Sequence, residues 1–142
     1  MIETQQENPI DINENIRITG LNTDKTRKTD GADIRYQVYF ELSGTPVQSW
    51  RSIFDKEWKA LNRIQPQLSL DVNVDNRFLV VLCSLQEIAD LYLPALKKAV
   101  DATNRSYAKY SHDAAIEQQR RDDVWTQERK TVDDRAKSLK FD

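Results

Sequence analysis

The residues best suited to chemistry are few in this chain, and their spacing does not assemble a reactive group. The single cysteine, Cys83, ends an apolar run and precedes a helix start. Such a position can lower the pKa of a thiol and turn it into a nucleophile. The single histidine, His112, lies far along a helical pattern, where no neighbouring residue orients it. We interpret Cys83 as a buried structural residue and His112 as a surface residue, and we assign no catalytic residue.

Metal and phosphate chemistry have no matching motif. One cysteine and one histidine are too few for a zinc site. The stretch from Asp71 to Leu82 lacks the glycine and the final glutamate of a calcium-binding loop. The three glycines are scattered at positions 20, 31 and 44, so they cannot form a glycine-rich phosphate loop. We therefore expect no metal and no cofactor.

Acidic residues are abundant, and paired carboxylates stand at Asp122-Asp123 and Asp133-Asp134. Carboxylates of this kind can serve as a general acid and base when a fold brings them to a substrate. Here they lie in a polar segment, where a solvated helix face is the ordinary interpretation. Because nothing in the spacing selects a catalytic pair, the sequence favours a protein that is not an enzyme.

Two groups of basic residues are candidates for contacts with nucleic acid. The first, Lys25, Arg27 and Lys28, lies in a polar stretch that we predict to be a loop, and the second is Arg120 and Arg121. Acidic neighbours weaken the first group, and the net charge of −2 argues against binding through bulk charge. Nucleic-acid binding, or a regulatory role that uses these residues, is therefore the alternative hypothesis for function.

The stretch SGTPVQSWRSIFDKEW, residues 43–58, holds two of the three tryptophans. An aromatic cluster can stack on a base or a sugar, or it can fill a core. Trp50, Ile53, Phe54, Trp58 and Leu61 fall at steps of three and four residues, which is typical of the buried face of an amphipathic helix. We predict that this helix begins after Thr45 and that its aromatic residues fill the core.

Composition limits the chain to one soluble domain of ordinary size. It has 142 residues, of which 39% are hydrophobic and 31% charged. No run approaches the roughly 18 apolar residues that a membrane span needs. The single cysteine permits no internal disulfide, and the beginning MIETQQENPIDI has no signal-peptide pattern. We expect a cytoplasmic protein with no membrane partner.

Alternating apolar residues predict four strands, at 16–19, 34–43, 68–74 and 78–83, with a polar loop at 21–33. Asp75-Asn76 is a turn between the last two strands. Ser84 and Glu87 form a capping box, which predicts that a helix begins there. The order β-β-α-β-β-α indicates an α+β two-layer domain, with a mainly antiparallel four-stranded sheet and a long C-terminal helix.

We divide the chain into a flexible N-terminal segment at 1–15, a globular α+β domain at 16–110 and a C-terminal helical extension at 111–142. From Leu85 a stripe of mostly apolar residues continues to Leu139 at an average step of 3.6 residues. If the helix breaks, Ser111 is the predicted place. After Tyr110 the stripe is narrow, and a polar helix with a thin apolar stripe is marginal in water. We therefore expect its distal part to lie against a surface.

These patterns predict a non-enzymatic interaction or assembly module. It self-associates or docks into a larger complex through the long helix and through an apolar sheet face, since the strand at 78–83 is apolar on both sides. The expected partner is a protein, with a homo-oligomer favoured. The expected contact residues are Tyr107, Tyr110, Trp125, Val132 and Leu139.

Overall fold

A computed structural model describes residues 11–29 and 35–140 of the chain. The elements are a 3-10 helix (Ile12–Glu14), β1 (Ile18–Lys28), β2 (Tyr36–Leu42), α1 (Gln48–Ile64), β3 (Val72–Asp75), β4 (Phe78–Cys83), a π-helix (Ile88–Tyr92) and α2 (Leu93–Ser138). The strands form one sheet in the order β1-β2-β4-β3, and all three pairings are antiparallel. The predicted α+β architecture is confirmed.

Contacts between Cα atoms divide the chain into two compact units, Met1–Ala108 and Lys109–Asp142. The sequence placed a boundary two residues later, after Tyr110. The first unit contains the sheet, α1 and the beginning of α2, and the second contains the rest of α2.

Alternation along β2 and β4 determines which side of the sheet is buried. Val38, Phe40 and Leu42 of β2 are at most 2% exposed, and they share the core with Leu79, Val81 and Cys83 of β4. The register pairs Val38 with Val81 and Phe40 with Leu79. Since side chains alternate along a strand, the other residues of β4 point to the opposite face.

The aromatic residues of α1 fill the core, as predicted. Trp50, Phe54 and Trp58 are at most 2% exposed. Their rings stack in series, with centroids 5.6 Å apart for Trp50 and Phe54 and 6.3 Å apart for Phe54 and Trp58. Both indole N–H groups are satisfied, because Trp50 donates to Asn104 and Trp58 donates to the carbonyl of Ser69. No ring face of the two buried tryptophans is left for a ligand.

The predicted beginning of α1 at Thr45 is wrong. The helix begins at Gln48, and Val47 is the N-cap residue, without a side-chain cap. The N–H of Val47 instead donates to the side chain of Asn13 at 2.9 Å. This contact satisfies the backbone N–H of the N-cap residue, while the first N–H groups of the helix have no side-chain cap.

The predicted loop at 21–33 is also wrong for its described part, because β1 continues to Lys28. The pairing with β2 is irregular, with register shifts between Ile18 and Gly20 and between Asn22 and Arg27. Thr26 accepts a hydrogen bond from the backbone N–H of Tyr39 across one shift. A polar sequence without alternation forms a strand here because β2 supplies backbone partners. Residues 30–34, including the predicted strand start at Ile34, lie outside the described residues.

The final helical segment begins later than the capping box suggests. Ser84 donates to the carboxylate of Glu87 at 2.8 Å, but the two residues between them form a turn, and helical structure begins only at Glu87, directly before the π-helix. A π-helix has wider turns than an α-helix. The α-helical phase therefore does not extend back to Leu85, which is 49% exposed although the stripe predicted its burial.

Residues 11–15, which the sequence assigned to a flexible segment, instead form a 3-10 turn that is tied to the domain. Asp11 caps the turn by accepting from the N–H of Asn13 at 2.9 Å. Asn13 is 5% exposed and accepts from Val47 as described above. Residues 1–10 of that predicted segment lie outside the described residues.

Candidate interaction surface

The second unit is a polar helix whose side chains are almost all exposed. α2 passes through Ser111 without a break. Between Lys109 and Lys140 no side chain is buried, and only Ser111 and Glu117 are half-buried. The apolar residues in this range are therefore surface residues of the described chain.

The predicted stripe remains as an exposed row on this helix. Trp125, Val132 and Leu139 follow each other at intervals of seven residues, and they are 59%, 61% and 58% exposed. Tyr110 begins the row at 55% exposure. Trp125 is the only one of the three tryptophans that is not buried. An exposed row of large apolar side chains at helical spacing is a candidate interaction surface.

Sequence reasoning did not single out two further exposed apolar residues. Ile116 is 68% exposed and Val124 is 45% exposed. At 3.6 residues per turn, Ile116 lies on the side of the helix opposite Trp125, and Val124 lies about a quarter turn from it. They do not belong to the row, so they offer a comparison for any test of it.

Pairs of side chains one turn apart support the helix in water. Glu117 accepts two hydrogen bonds from Arg120, at 3.0 and 2.7 Å, and a third from Arg121 at 3.3 Å. The hydrogen bond from Arg120, together with the nearby arginine charges, lowers the pKa of Glu117 to about 2. Pairs of this kind, one turn apart, support an isolated helix. The predicted nucleic-acid contacts Arg120 and Arg121 are therefore engaged within the helix.

The predicted contact residue Tyr107 is not on a surface. It is 7% exposed and lies in the core cluster of the first unit. Its hydroxyl donates to the carboxylate of Asp11 at 2.7 Å. This hydrogen bond, with further ones from Asn13, lowers the pKa of Asp11. Tyr107 fastens the N-terminal turn, and we remove it from the set of contact residues.

The basic residues of the other predicted group lie on β1 rather than in a loop. The ammonium of Lys25 lies 5.8 Å from the ring centroid of Tyr39 and 5.4 Å from that of Phe78. The two rings meet edge to face at 5.8 Å. Arg27 and Lys28 follow on the same strand and pair with Gln37 and Tyr36 of β2. Lys25 thus covers aromatic surface on the open side of the sheet.

The open side of the sheet is less bare than the sequence indicates. Val80 is 8% exposed, and Phe78 and Leu82 are half-buried. Since Lys25 and Tyr39 pack over Phe78, this face offers little continuous apolar surface. The exposed row on α2 is the stronger of the two predicted contact regions.

Cys83 is the buried structural residue that the sequence predicts. It is 1% exposed, and its burial, with the nearby charge of Glu87 as a smaller cause, raises the pKa of the thiol to about 11. A thiol with such a pKa carries little thiolate at neutral pH and is a poor nucleophile. His112 is exposed. Of the acidic pairs, Asp122 and Asp123 accept hydrogen bonds from the glutamines one turn earlier.

Comparisons of the chain with protein-family models, with curated proteins and with solved structures find no match in any of the three. Within residues 11–29 and 35–140, none of the helices combines the length and the apolar character needed to cross a membrane.

Proposed function

We propose that this protein is a non-enzymatic assembly module that pairs with a second copy of itself through the exposed row on α2. The observation that carries the proposal is the regular exposure of Trp125, Val132 and Leu139 on a continuous helix. Burying one such side chain stabilises an interface by about 1.5–3 kcal/mol before the costs of association. A long polar helix gains most from such a partner because it is marginal alone.

The same side of the helix also carries Ala114, Gln118, Arg121, Glu128 and Ala136, which we include in the row. The order of residues along this row favours a second copy as the partner. An antiparallel pair of helices centred on Trp125 brings each position of the row opposite another position of the row. A two-fold interface of this kind is self-complementary. In the following pairs the second residue belongs to the second copy: Tyr110 and Leu139, Ala114 and Ala136, Gln118 and Val132, Arg121 and Glu128, Trp125 and Trp125.

The charges in the row select the antiparallel orientation. A parallel pair in register places Arg121 against Arg121 and Glu128 against Glu128, and like charges opposite each other are unfavourable. The antiparallel pair replaces both repulsions with two Arg121–Glu128 attractions. Arg121 is able to exchange partners, because Arg120 already holds Glu117 at the shorter distances of 3.0 and 2.7 Å.

Sedimentation velocity over a wide concentration range tests the proposal on the full chain and on the variant Trp125→Asp. We expect a monomer–dimer equilibrium in the full chain. The variant places a carboxylate at the centre of the interface and should raise the dissociation constant at least tenfold, which corresponds to about 1.4 kcal/mol.

Ile116→Asp is the matched control, since it adds the same charge to an exposed apolar position on the opposite side of the helix. It should leave the dissociation constant unchanged. A full chain that stays monomeric at every concentration refutes the self-association, and so does an equal effect of the two variants.

Binding of nucleic acid through Lys25, Arg27, Lys28, Arg120 and Arg121 stays a prediction. A strong decrease of affinity with rising salt would support it. Location in the cytoplasm also stays a prediction, and the single free, buried Cys83 is compatible with a reducing compartment.

A further inference from the structure

A groove of about 430 Å³ lies between α1 and β3 in the first unit. The α1 side chains along it fall at steps of three and four residues, so they occupy one face of the helix. Phe54 also lines the groove, and residues 72–74 of β3 form the opposite wall. The residues that line the groove include Gln48, Arg51, Asp55, Lys56, Val72 and Val74.

Arg51 gives the groove a half-buried cation with one unsatisfied donor. Its Nε atom is buried and has no hydrogen-bond partner among the described residues. The nearest acidic residue along the helix, Asp55, is instead held by Lys59 at 2.9 Å. Buried donors in folded proteins almost always have a partner, so an exception calls for an explanation such as a ligand. A guanidinium of this kind binds a carboxylate or a phosphate through two parallel hydrogen bonds.

β3 adds an open row of backbone groups beside Arg51. It is an edge strand, because β4 is its only neighbour among the described strands. The N–H of Leu82 donates to the carbonyl of Asp71 at 3.1 Å. In an antiparallel ladder hydrogen-bonded positions alternate, so the register leaves the backbone groups of Val72 and Val74 pointing away from β4. The N–H of Val72 donates to the carbonyl of Leu70 at 2.9 Å, so the N–H of Val74 is the one that can pair with an added strand.

We propose that this groove binds an extended peptide segment, which adds to β3 as a fifth strand and presents a carboxylate side chain to Arg51. Edge-strand addition supplies affinity through backbone hydrogen bonds and specificity through alternate side chains. The open edge of β3 favours a peptide over a small anion. The positive charges of Arg51 and Lys56 favour a peptide with an acidic side chain. Lys56 adds a second positive charge, while Lys59 offsets the charge of Asp55.

The proposal does not depend on self-association, because every residue of the groove lies between Gln48 and Val74 of the first unit. A failed dimerisation test leaves it standing, and its own failure leaves the α2 proposal standing.

NMR titration of the full chain tests it, since the Nε–H of an arginine and the backbone amides give separate signals. The probe is the capped peptide Thr-Val-Thr-Glu-Thr-Val-Thr, compared with the same peptide carrying Gln in place of Glu and with acetate alone. We expect the Glu peptide to shift the signals of the Arg51 side chain and the Val74 amide together. The Gln peptide should bind roughly tenfold more weakly, as expected for the loss of a charge-assisted pair.

Two variants separate the parts of the site. Arg51→Gln should weaken binding of the Glu peptide about tenfold and remove the preference for Glu over Gln. Val74→Pro should abolish binding of both peptides while the ladder with β4 survives, because the lost N–H points outward. Arg63→Gln is the control, since Arg63 is an exposed arginine of the same helix outside the groove.

Three outcomes overturn the proposal. The first is no shift at either signal with the Glu peptide. The second is equal binding by wild type and Arg51→Gln. The third is that acetate shifts the Arg51 signal as strongly as the Glu peptide while the Val74 amide stays unchanged, which would indicate a simple anion site.

Discussion

Asn104 of α2 accepts a hydrogen bond from the indole nitrogen of Trp50 in α1, at 2.9 Å. The same amide donates to the carbonyl of Ile16 at 2.8 Å and accepts from the N–H of Ile16 at 3.3 Å. One polar side chain therefore joins both helices of the first unit to the segment that leads into β1. Trp50 and Ile16 are fully buried, so leaving their polar groups without a partner is costly.

We expect Asn104→Ala to lower the free energy of unfolding by about 2–4 kcal/mol, because it leaves the indole N–H and the backbone groups of Ile16 without partners. Urea unfolding followed by tryptophan fluorescence measures this change. Asn73→Ala, at an exposed position of β3, is the control and should change stability by less than about 0.5 kcal/mol. Equal effects of the two variants would contradict the role of Asn104.

The antiparallel pairing predicts a specific charge rescue. Arg121→Glu and Glu128→Arg should each raise the dissociation constant of the dimer, because each brings like charges together twice across the two-fold axis. The double variant should restore the wild-type dissociation constant, as measured by sedimentation velocity. In a parallel pair each single variant only replaces one like-charge contact by another, so unchanged dissociation constants of the single variants would contradict the antiparallel orientation.

Lys130→Glu is the control for this charge rescue. It makes the same change of charge at an exposed position of the helix that lies more than a third of a turn from Trp125. It should leave the dissociation constant unchanged. A loss of dimer equal to that of Arg121→Glu would indicate that helix stability, rather than the interface, is being measured.

The thiol of Cys83 should be unreactive toward Ellman's reagent in the folded protein and fully reactive in urea. Its burial excludes the reagent, and its pKa of about 11 keeps it protonated at neutral pH. The absorbance of the released thiolate follows the reaction. Rapid modification of the folded chain, at the rate of an unfolded control, would contradict the buried assignment.

The Asp11–Tyr107 hydrogen bond should make stability depend on pH in the acid range. The pKa of Asp11 is lowered below its ordinary value of 3.8, chiefly by the hydroxyl of Tyr107. A carboxylate with a lowered pKa stabilises the folded state above the unfolded pKa, and this contribution is lost as the pH falls through the folded pKa. Tyr107→Phe should therefore destabilise the chain at neutral pH, and the difference should shrink below pH 3.8.

Urea unfolding of wild type and Tyr107→Phe, at neutral pH and below pH 3.8, measures this effect. Glu14→Gln is the comparison variant. It changes another carboxylate of the same turn, whereas the 2.7 Å hydrogen bond of Tyr107 goes to Asp11. A difference between wild type and Tyr107→Phe that is constant across the acid range would refute the coupling to Asp11.

Patterns within single elements predicted much of this fold. The stripe of Trp50, Phe54 and Trp58 identified α1 and its buried face, and the alternation from Val38 to Leu42 identified β2. The regular row through Trp125 and Leu139 predicted the long helix, whereas the exposure of the row came only from the structure. Such periodicity can be read within one element, because apolar residues mark its buried face and polar residues mark its solvent face.

Tertiary contacts decided the rest. β1 is a strand through Lys28 because β2 offers its backbone, and the residue before α1, Val47, finds its hydrogen-bond partner in the distant Asn13. The hydroxyl of the buried Tyr107 finds its partner in Asp11, far away in the sequence.

The groove beside Arg51 likewise exists only once β3 lies against α1. The sequence alone determined the elements that carry their own hydrophobic period. The three-dimensional fold decided every feature in which a polar group finds its partner far along the chain, because local periodicity records how side chains divide between core and solvent but not which distant groups they meet.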